Sequence, residues 1–441
     1  MINLNNQNKN KFTLKAVKKI SSKTDEFNKQ FLYELDPKDF LGGDFYKKMR
    51  NYFEKIKFNI NIDLNSFLAI VKKEDQLPLL NAIFSSHENI YHLPCCFKSK
   101  LPTKIHHNFL VDIKKYGKVV NEALSFVYAE SFSRKLMGLP NNYLNPAKFV
   151  QFVKEEFSKF NNVEIKVLDK KDLINKKMNL ILGVGANAKK EDEPMLLVVS
   201  SKVKTGKKLA LVGKGVCFDT GGLNLKPGSY LMGMNYDMSG AAVVVGTMMA
   251  IANNNINANV SIVCPLVVND ISNEGMKVSD VITSYSKQTV EITNTDAEGR
   301  LILADAITYA EKDLKADTIV SIATLTGAVE YCFSDVYTPV WCTNRKQFNL
   351  FQQAANKAGE LIWEMPMHFE YENRMKSSKI ADMLNSEKTR GAGSSTAACF
   401  LSFFRKKANY NHIDIASTNE YKSLPLPIMV KTLYYFTKEF K

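Results

Sequence analysis

From about residue 147 onward, short apolar runs alternate with segments in which apolar residues recur every three or four positions. Residues 209–213 read as a buried strand that runs into the glycine-rich loop 214–222. Residues 240–252 have helical spacing, 260–268 read as a second strand, and 290–293 as a short one. A helix over 301–311 and a buried strand over 318–323 follow. Strand–helix alternation predicts a largely parallel sheet with helices on both sides, whose ligands bind beyond the carboxyl ends of the strands.

The first 120 residues have no chemical motif. Short apolar runs such as Phe67-Leu-Ala-Ile-Val71 suggest strands in an α/β unit. Residues 118–137 carry helical spacing with no Gly or Pro, and Gly138, Pro140 and Pro146 then break it. The organisation expected is an N-terminal domain over 1–120, a linker helix and connection over 121–146, and a catalytic domain over 147–441. The fold class expected is α/β, with a smaller N-terminal α/β domain and a larger C-terminal domain built on a mostly parallel sheet flanked by helices.

Composition narrows the setting. No apolar run is long enough to span a membrane, and the Asn- and Lys-rich residues 1–23 lack the apolar core of a signal peptide. Seven scattered cysteines, only Cys95 and Cys96 adjacent, show no metal-ligand spacing. A cytoplasmic protein with reduced thiols is expected. The net charge is +14, yet only seven of the 59 basic residues are Arg. Lys and Asn excess fits compositional drift on a solvated surface; attraction to nucleic acid is the sharper alternative. Arg, which reads phosphate bidentately, is scarce, so a nucleic-acid partner is not expected.

The chemistry is concentrated between residues 214 and 300. Asp296, Glu298 and Arg300 stand two apart, so in an extended segment they would share one face. Lys214, Asp219, Lys226 and Asp237 lie upstream. Three Asp, a Glu, two Lys and an Arg in this span can build a two-metal hydrolytic site. An isolated Asp-x-Glu would more often be two solvated acids, Lys214 a surface residue and Arg300 a salt-bridge partner.

The wording of these segments resembles the leucyl aminopeptidase family of dinuclear metallo-exopeptidases. Asn-Thr-Asp-Ala-Glu-Gly-Arg-Leu stands at 294–301, Val-Gly-Lys-Gly-Val-Cys-Phe-Asp-Thr-Gly-Gly at 212–222, Tyr-Asp-Met-Ser-Gly-Ala-Ala at 236–242 and Ala-Thr-Leu-Thr-Gly-Ala at 323–328. Ala381-Asp-Met383 and His412-Ile-Asp-Ile-Ala416 are also similar. The resemblance covers about residues 135–420, and the N-terminal 120 residues show no clear match.

This resemblance implies an aminopeptidase that releases Leu-like N-terminal residues from peptides. It implies two divalent ions per chain, Zn or Mn, with Mg or Co as further options. Asp219 and Glu298 resemble bridging ligands, Asp237 and Lys214 extra ligands of the tighter site, and Asp296 that of the more exchangeable site. Lys214 would have to bind as the neutral amine. Lys226 resembles the residue that stabilises an oxyanion, and Arg300 the one that holds a bicarbonate acting as general base. None of the six His falls between residues 214 and 300, and no carboxylate in the site is left over as a base, which fits a borrowed base. Met234, Thr324, Gly327 and Ala416 match positions lining the substrate pocket, with core packing the plain alternative for Met234 and Ala416. A homohexamer is also implied. A DNA-binding second role is the alternative of a different class, with the basic charge as its only support.

Two features depart from the family's pattern. Ser417 replaces a usual Gly, and Ser423-Leu-Pro-Leu-Pro-Ile428 stands where a longer glycine-rich stretch is usual; both bear on substrate preference. Gly183-Val-Gly185 lacks the third Gly and acidic residue of a dinucleotide fingerprint, and Gly213-Lys-Gly215 lacks phosphate-loop spacing.

Overall fold

The computed structural model describes residues 3–5, 13–17, 24–25, 30–35, 44–99, 105–387 and 391–440. Of the Asn- and Lys-rich segment 1–23, only 3–5 and 13–17 fall among them. Two compact units emerge: Met1–Ser131 with Ala355–Leu361, and Phe132–Ala354 with Ile362–Lys441. The chain passes from the first to the second inside the helix Ile113–Gly138, which contains the helix expected over 118–137.

Among the described residues the first unit holds a six-stranded sheet in the order Asn3–Asn5, Asn108–Leu110, Asn61–Asp63, Thr13–Val17, Gln30–Glu34, Thr24–Asp25. All neighbours are parallel except the last pair. Its core includes Leu14, Phe53, Phe67, Phe84 and Phe109. The strand expected around Phe67–Val71 is instead the helix Leu64–Ile70, with Leu64, Phe67 and Leu68 buried. A continuous apolar run fits either element, and Leu64 at i−3 supplies the helical period that the five residues alone conceal.

Among the described residues the main sheet of the second unit has nine strands. In chain order they are β1 (Val163–Leu168), β2 (Met195–Ser201), β3 (Leu209–Gly213), β4 (Gly215–Asp219), β5 (Val260–Asn269), β6 (Thr318–Ala323), β7 (Thr338–Cys342), β8 (Ile362–Glu364) and β9 (Asn409–Asp414). The sheet order is β8-β7-β9-β6-β3-β5-β2-β1, and β4 also pairs with β5. The centre is parallel, whereas β7 on β9, β2 on β5 and β1 on β2 are antiparallel. Every residue of β3, β5 and β6 is buried, as a sheet covered on both faces requires.

Two helices frame the chemistry: α1 (Ser239–Asn253) and α2 (Glu298–Lys312). Both pack on β3, β5 and β6. Alternation along β3 sends Ala210 and Val212 to one face, where they join Leu301, Ile302 and Ala306 of α2 in one core. Leu209 and Leu211, also buried, face the other way, toward α1. The elements expected at 209–213 and 318–323 match in full, and those at 240–252, 260–268 and 301–311 lie inside longer ones.

The strand expected over 290–293 is Thr289–Glu291, and it belongs to a separate three-stranded sheet with Val281–Thr283 and Met383–Leu384. Residues 292–297 then form bends and turns, and Glu298 opens α2. Asp296, Glu298 and Arg300 therefore do not share a face by strand alternation. Glu298 and Arg300 sit in the first turn of a helix, and Asp296 lies in the turn before it.

Among the described residues no helix is long and apolar enough to cross a membrane.

Candidate active site

The carboxyl ends of adjacent strands converge on one cluster. Lys214 follows β3, Asp219 ends β4, Asn269 ends β5 and Thr324 follows β6. Asp237 lies two residues before α1, and Glu298 is the first residue of α2. A carboxylate in the first turn of a helix meets the unsatisfied N–H groups and positive dipole end.

Lysines and carboxylates alternate in the cluster. Lys214 Nζ stands 2.7 Å from Asp237 Oδ1 and 2.9 Å from Glu298 Oε1, and donates to the carbonyl of Thr324 at 2.9 Å. Lys226 Nζ stands 2.8 Å from Asp219 Oδ2 and 2.5 Å from Asp296 Oδ1. Lys214, Asp219, Asp237 and Glu298 are at most 6% exposed. Lys226 and Asp296 are half-buried.

Four carboxyls face two ammoniums, so the ionised cluster keeps an excess of negative charge in a buried place. Burial, and then crowding by like charges, pushes the carboxyls of Asp237 and Glu298 above their ordinary range; burial does the same for Asp296. Burial opposes the charge of both lysines. The surrounding carboxylates outweigh it and hold Lys214 and Lys226 above their usual values. A group with such an excess calls for further positive charge.

The donor set suits divalent cations. One oxygen each from Asp219, Asp296 and Glu298 lies within 4.8 Å of the others. Asp237 Oδ2 is buried and, among the described residues, has no hydrogen-bond partner. Hard carboxylate oxygens of this kind accept Mg²⁺, Mn²⁺ or Zn²⁺.

Glycines allow the close packing. A side chain at Gly299 would come within 2.5 Å of Lys214 Cε. Gly221 and Gly222 take φ of +89° and +63°, which lets the loop after Asp219 turn back so that Lys226 N bonds the carbonyl of Thr220 at 2.9 Å.

Arg300 is buried, and its Nη1 donates to the carbonyl of Asn385 at 2.9 Å. Its Nε is buried with no partner among the described residues, and no carboxylate pairs with it there. The simple salt bridge that Arg300 could have made is absent from the described residues. Burial lowers its pKa to about 10, so it remains a cation near neutrality.

The four residues expected in a substrate pocket behave differently from one another. Thr324 Oγ1 donates to Asp237 Oδ1 at 2.8 Å, so it supports the charged cluster directly. Gly327 is exposed, and a side chain there would meet nothing within 4 Å. Met234 is half-buried in a short 3-10 turn before Asp237. Ala416 packs with Val329, Trp341 and Ala398, while its N–H donates to Asp414 Oδ1 at 3.1 Å.

Three residues outside the expected set support the cluster. Asn269 Nδ2 donates to Asp219 Oδ1 at 2.7 Å. Thr295 Oγ1 donates to the carbonyl of Gly221 at 2.6 Å and accepts from Asn224 N at 2.8 Å. Asn385 Oδ1 accepts from Thr293 N at 2.8 Å, while its Nδ2 donates to the carbonyl of Asn294 at 2.6 Å. The sequence carries a signal for Asn269: one amide closing a nine-residue run, apolar but for Ser261, at a strand's carboxyl end.

A buried cluster of carboxylates and lysines at the carboxyl edge of a mostly parallel sheet marks this chain as an α/β enzyme of the hydrolytic kind. It belongs to the cytosol aminopeptidase family and is an aminopeptidase, whose substrates are peptides. The family's catalytic-domain profile matches residues 131–432. A relative from Mycoplasma genitalium named "Probable cytosol aminopeptidase" is 38% identical over 411 residues, covering 90% of this chain and 89% of its own. A Mycoplasma pneumoniae relative of the same name is 38% identical over 409 residues, with the same coverage. One from Rickettsia bellii is 38% identical over 287 residues, 65% of this chain and 57% of its own. Coverage of 90% leaves outside far fewer than 120 residues, so similarity extends into the N-terminal region, beyond the 135–420 read from motifs.

Proposed function

We propose that the chain is a metal-dependent leucyl aminopeptidase that removes Leu-like N-terminal residues from peptides. The observation that carries this reading is the buried cluster of Lys214, Asp219, Asp237, Asp296 and Glu298, whose negative charge exceeds what its lysines offset. These five residues would hold two divalent ions, Zn or Mn, with Mg or Co as further options. When bound, such ions supply an ionised water near neutral pH and draw charge from the scissile carbonyl and the free α-amine.

The chain's own residues do the rest. Lys226 keeps its proton beside Asp219 and Asp296 and offers it as a hydrogen bond to the oxyanion that develops on the carbonyl. Lys214 would give up its proton to act as a ligand, because an ammonium has no lone pair to share. Thr324 and Asn269 orient Asp237 and Asp219. Arg300, with an unpartnered buried Nε, would hold a bicarbonate that supplies the general base. Met234, Thr324, Gly327 and Ala416 would line the side-chain pocket. The working form would be a cytoplasmic homohexamer.

The test is hydrolysis of aminoacyl reporters after metal is stripped and Zn²⁺, Mn²⁺, Co²⁺ or Mg²⁺ restored. Leu reporters with a free amine should be cleaved only with metal, and N-acetylated ones not at all. Full activity with metal content confirmed near zero overturns metal dependence. Equal cleavage of acetylated substrate overturns the amine anchor.

A further inference from the structure

A second group of metal-competent side chains lies in the first unit, where nothing above requires chemistry. His87 and Glu88 lie near the end of the helix Gln76–Tyr91, and His92 caps it. One ligand atom from each of these three residues lies within 4.8 Å of the others. Glu88 Oε2 and His92 Nε2 are 3.8 Å apart, and the His87 and His92 rings are 5.5 Å apart.

His87 is the informative member. It is 1% exposed, packed among the rings of Phe53, Tyr91 and Phe109. Among the described residues neither of its ring nitrogens has a hydrogen-bond partner. An unsatisfied buried polar group costs about 1–3 kcal/mol, and a neutral imidazole carries one donor and one acceptor. A core position that wanted only an aromatic ring would be filled at less cost by Phe.

The neighbours define what would satisfy it. His107 Nδ1 accepts from Ile60 N at 3.2 Å, which places the proton of the neutral ring on Nε2 and removes that nitrogen as a ligand. A neutral imidazole has one nitrogen lone pair free to ligate a metal. The helix C-terminus, with its negative dipole end, favours a cation at this place.

We propose that His87, Glu88 and His92 bind one transition-metal cation of the Zn²⁺ class, in a structural site distinct from the carboxylate–lysine cluster. Two imidazoles and a carboxylate give three protein ligands, and water completes a tetrahedron. Bonds of about 2.0–2.1 Å put ligand atoms roughly 3.4 Å apart, so the partly exposed His92 and Glu88 close inward on the fixed His87.

The two sites differ in ligand chemistry, and this makes the proposal testable on the tag-free, full-length protein. Zinc-edge X-ray absorption detects outer-shell scattering from imidazole, and the carboxylate–lysine cluster contains no histidine. Zinc-loaded wild-type protein should show imidazole scattering. His92→Gln, at a partly exposed position, should lose that scattering and about one zinc per chain, with Leu-reporter hydrolysis unchanged. Glu298→Gln should keep the imidazole signal even as activity falls, so a failure of the aminopeptidase reading does not mimic a failure here. Wild-type zinc without imidazole scattering, or a His92→Gln zinc content equal to wild type, overturns the site.

Discussion

Asn269 Nδ2 donates to Asp219 Oδ1 at 2.7 Å, while the backbone carbonyl of Asn269 accepts from Thr220 N at 2.8 Å. One residue at the end of β5 thus sets both the orientation of Asp219 and the path of the loop that carries Lys226. Replacing Asn269 with Leu keeps the backbone bond and deletes the amide. Supporting residues of this kind are worth ~10–100-fold in metal affinity or activity. Titration with Mn²⁺ should show weakened retention of that order, with the fold intact by circular dichroism. Unchanged retention and turnover would remove Asn269 from the site.

Glu298 contacts Lys214 at 2.9 Å and shares a 4.8 Å neighbourhood with Asp219 and Asp296. Glu298→Gln removes charge at the centre of the group. Activity should fall by more than the ~10–100-fold of an outer residue, with both ions held less tightly. Metal analysis after dialysis checks this, and two retained ions with normal turnover would refute the assignment.

Arg300→Ala should behave differently, because the guanidinium reaches the carbonyl of Asn385 and no described carboxylate. Metal content and substrate affinity should persist while turnover falls by up to the ~10²–10⁴-fold of general-base assistance. Added bicarbonate should stimulate bicarbonate-depleted wild type and leave the variant unmoved. Equal stimulation of both, or metal loss from the variant, contradicts the role.

Gly299→Ala would bring a methyl within 2.5 Å of Lys214 Cε and 2.7 Å of its Nζ. Lys214 must move, and displacement of a positioned group by an ångström costs on the order of 10²-fold in rate. Steady-state kinetics should show the loss mainly in kcat. Wild-type kcat in a folded variant would mean that Lys214 has room to spare.

His412 is buried beside Trp341, with Nδ1 2.8 Å from Ser321 Oγ. Burial, and then the Arg300 cation, lowers its pKa from 6.5 to about 3. The unfolded chain therefore binds more protons than the folded one between these values. Stability is full above pH 6.5 and is lost as pH falls toward 3. At pH 5 the loss attributable to His412 is about 2 kcal/mol. Urea unfolding at pH 7.5 and pH 5 should show wild type losing that much more than His412→Gln. Equal losses would mean that His412 does not drive the acid sensitivity.

The sequence by itself determined the central sheet and which charged residues gather at its carboxyl edge. Residues 209–213 carry no polar side chain and 318–323 only Thr318 and Ser321, as suits strands covered on both faces, so their boundaries were legible. The runs at 214–222 and 294–301 were legible as charged chemistry because buried carboxylates and lysines at such density are too costly without mutual compensation. Tertiary structure decided what local pattern cannot encode. The carboxylate pair at 296 and 298 has a strand's spacing, yet packing on β3, β5 and β6 makes Glu298 the start of a helix. The five apolar residues from Phe67 were consistent with either element until the sheet around Thr13–Val17 gave a helix its partner. Asn269, Thr295 and Asn385 reach the site through hydrogen bonds between segments 50, 74 and 85 residues apart in the chain. No sequence period reports contacts of that separation, because they exist only once the strands have aligned their carboxyl ends.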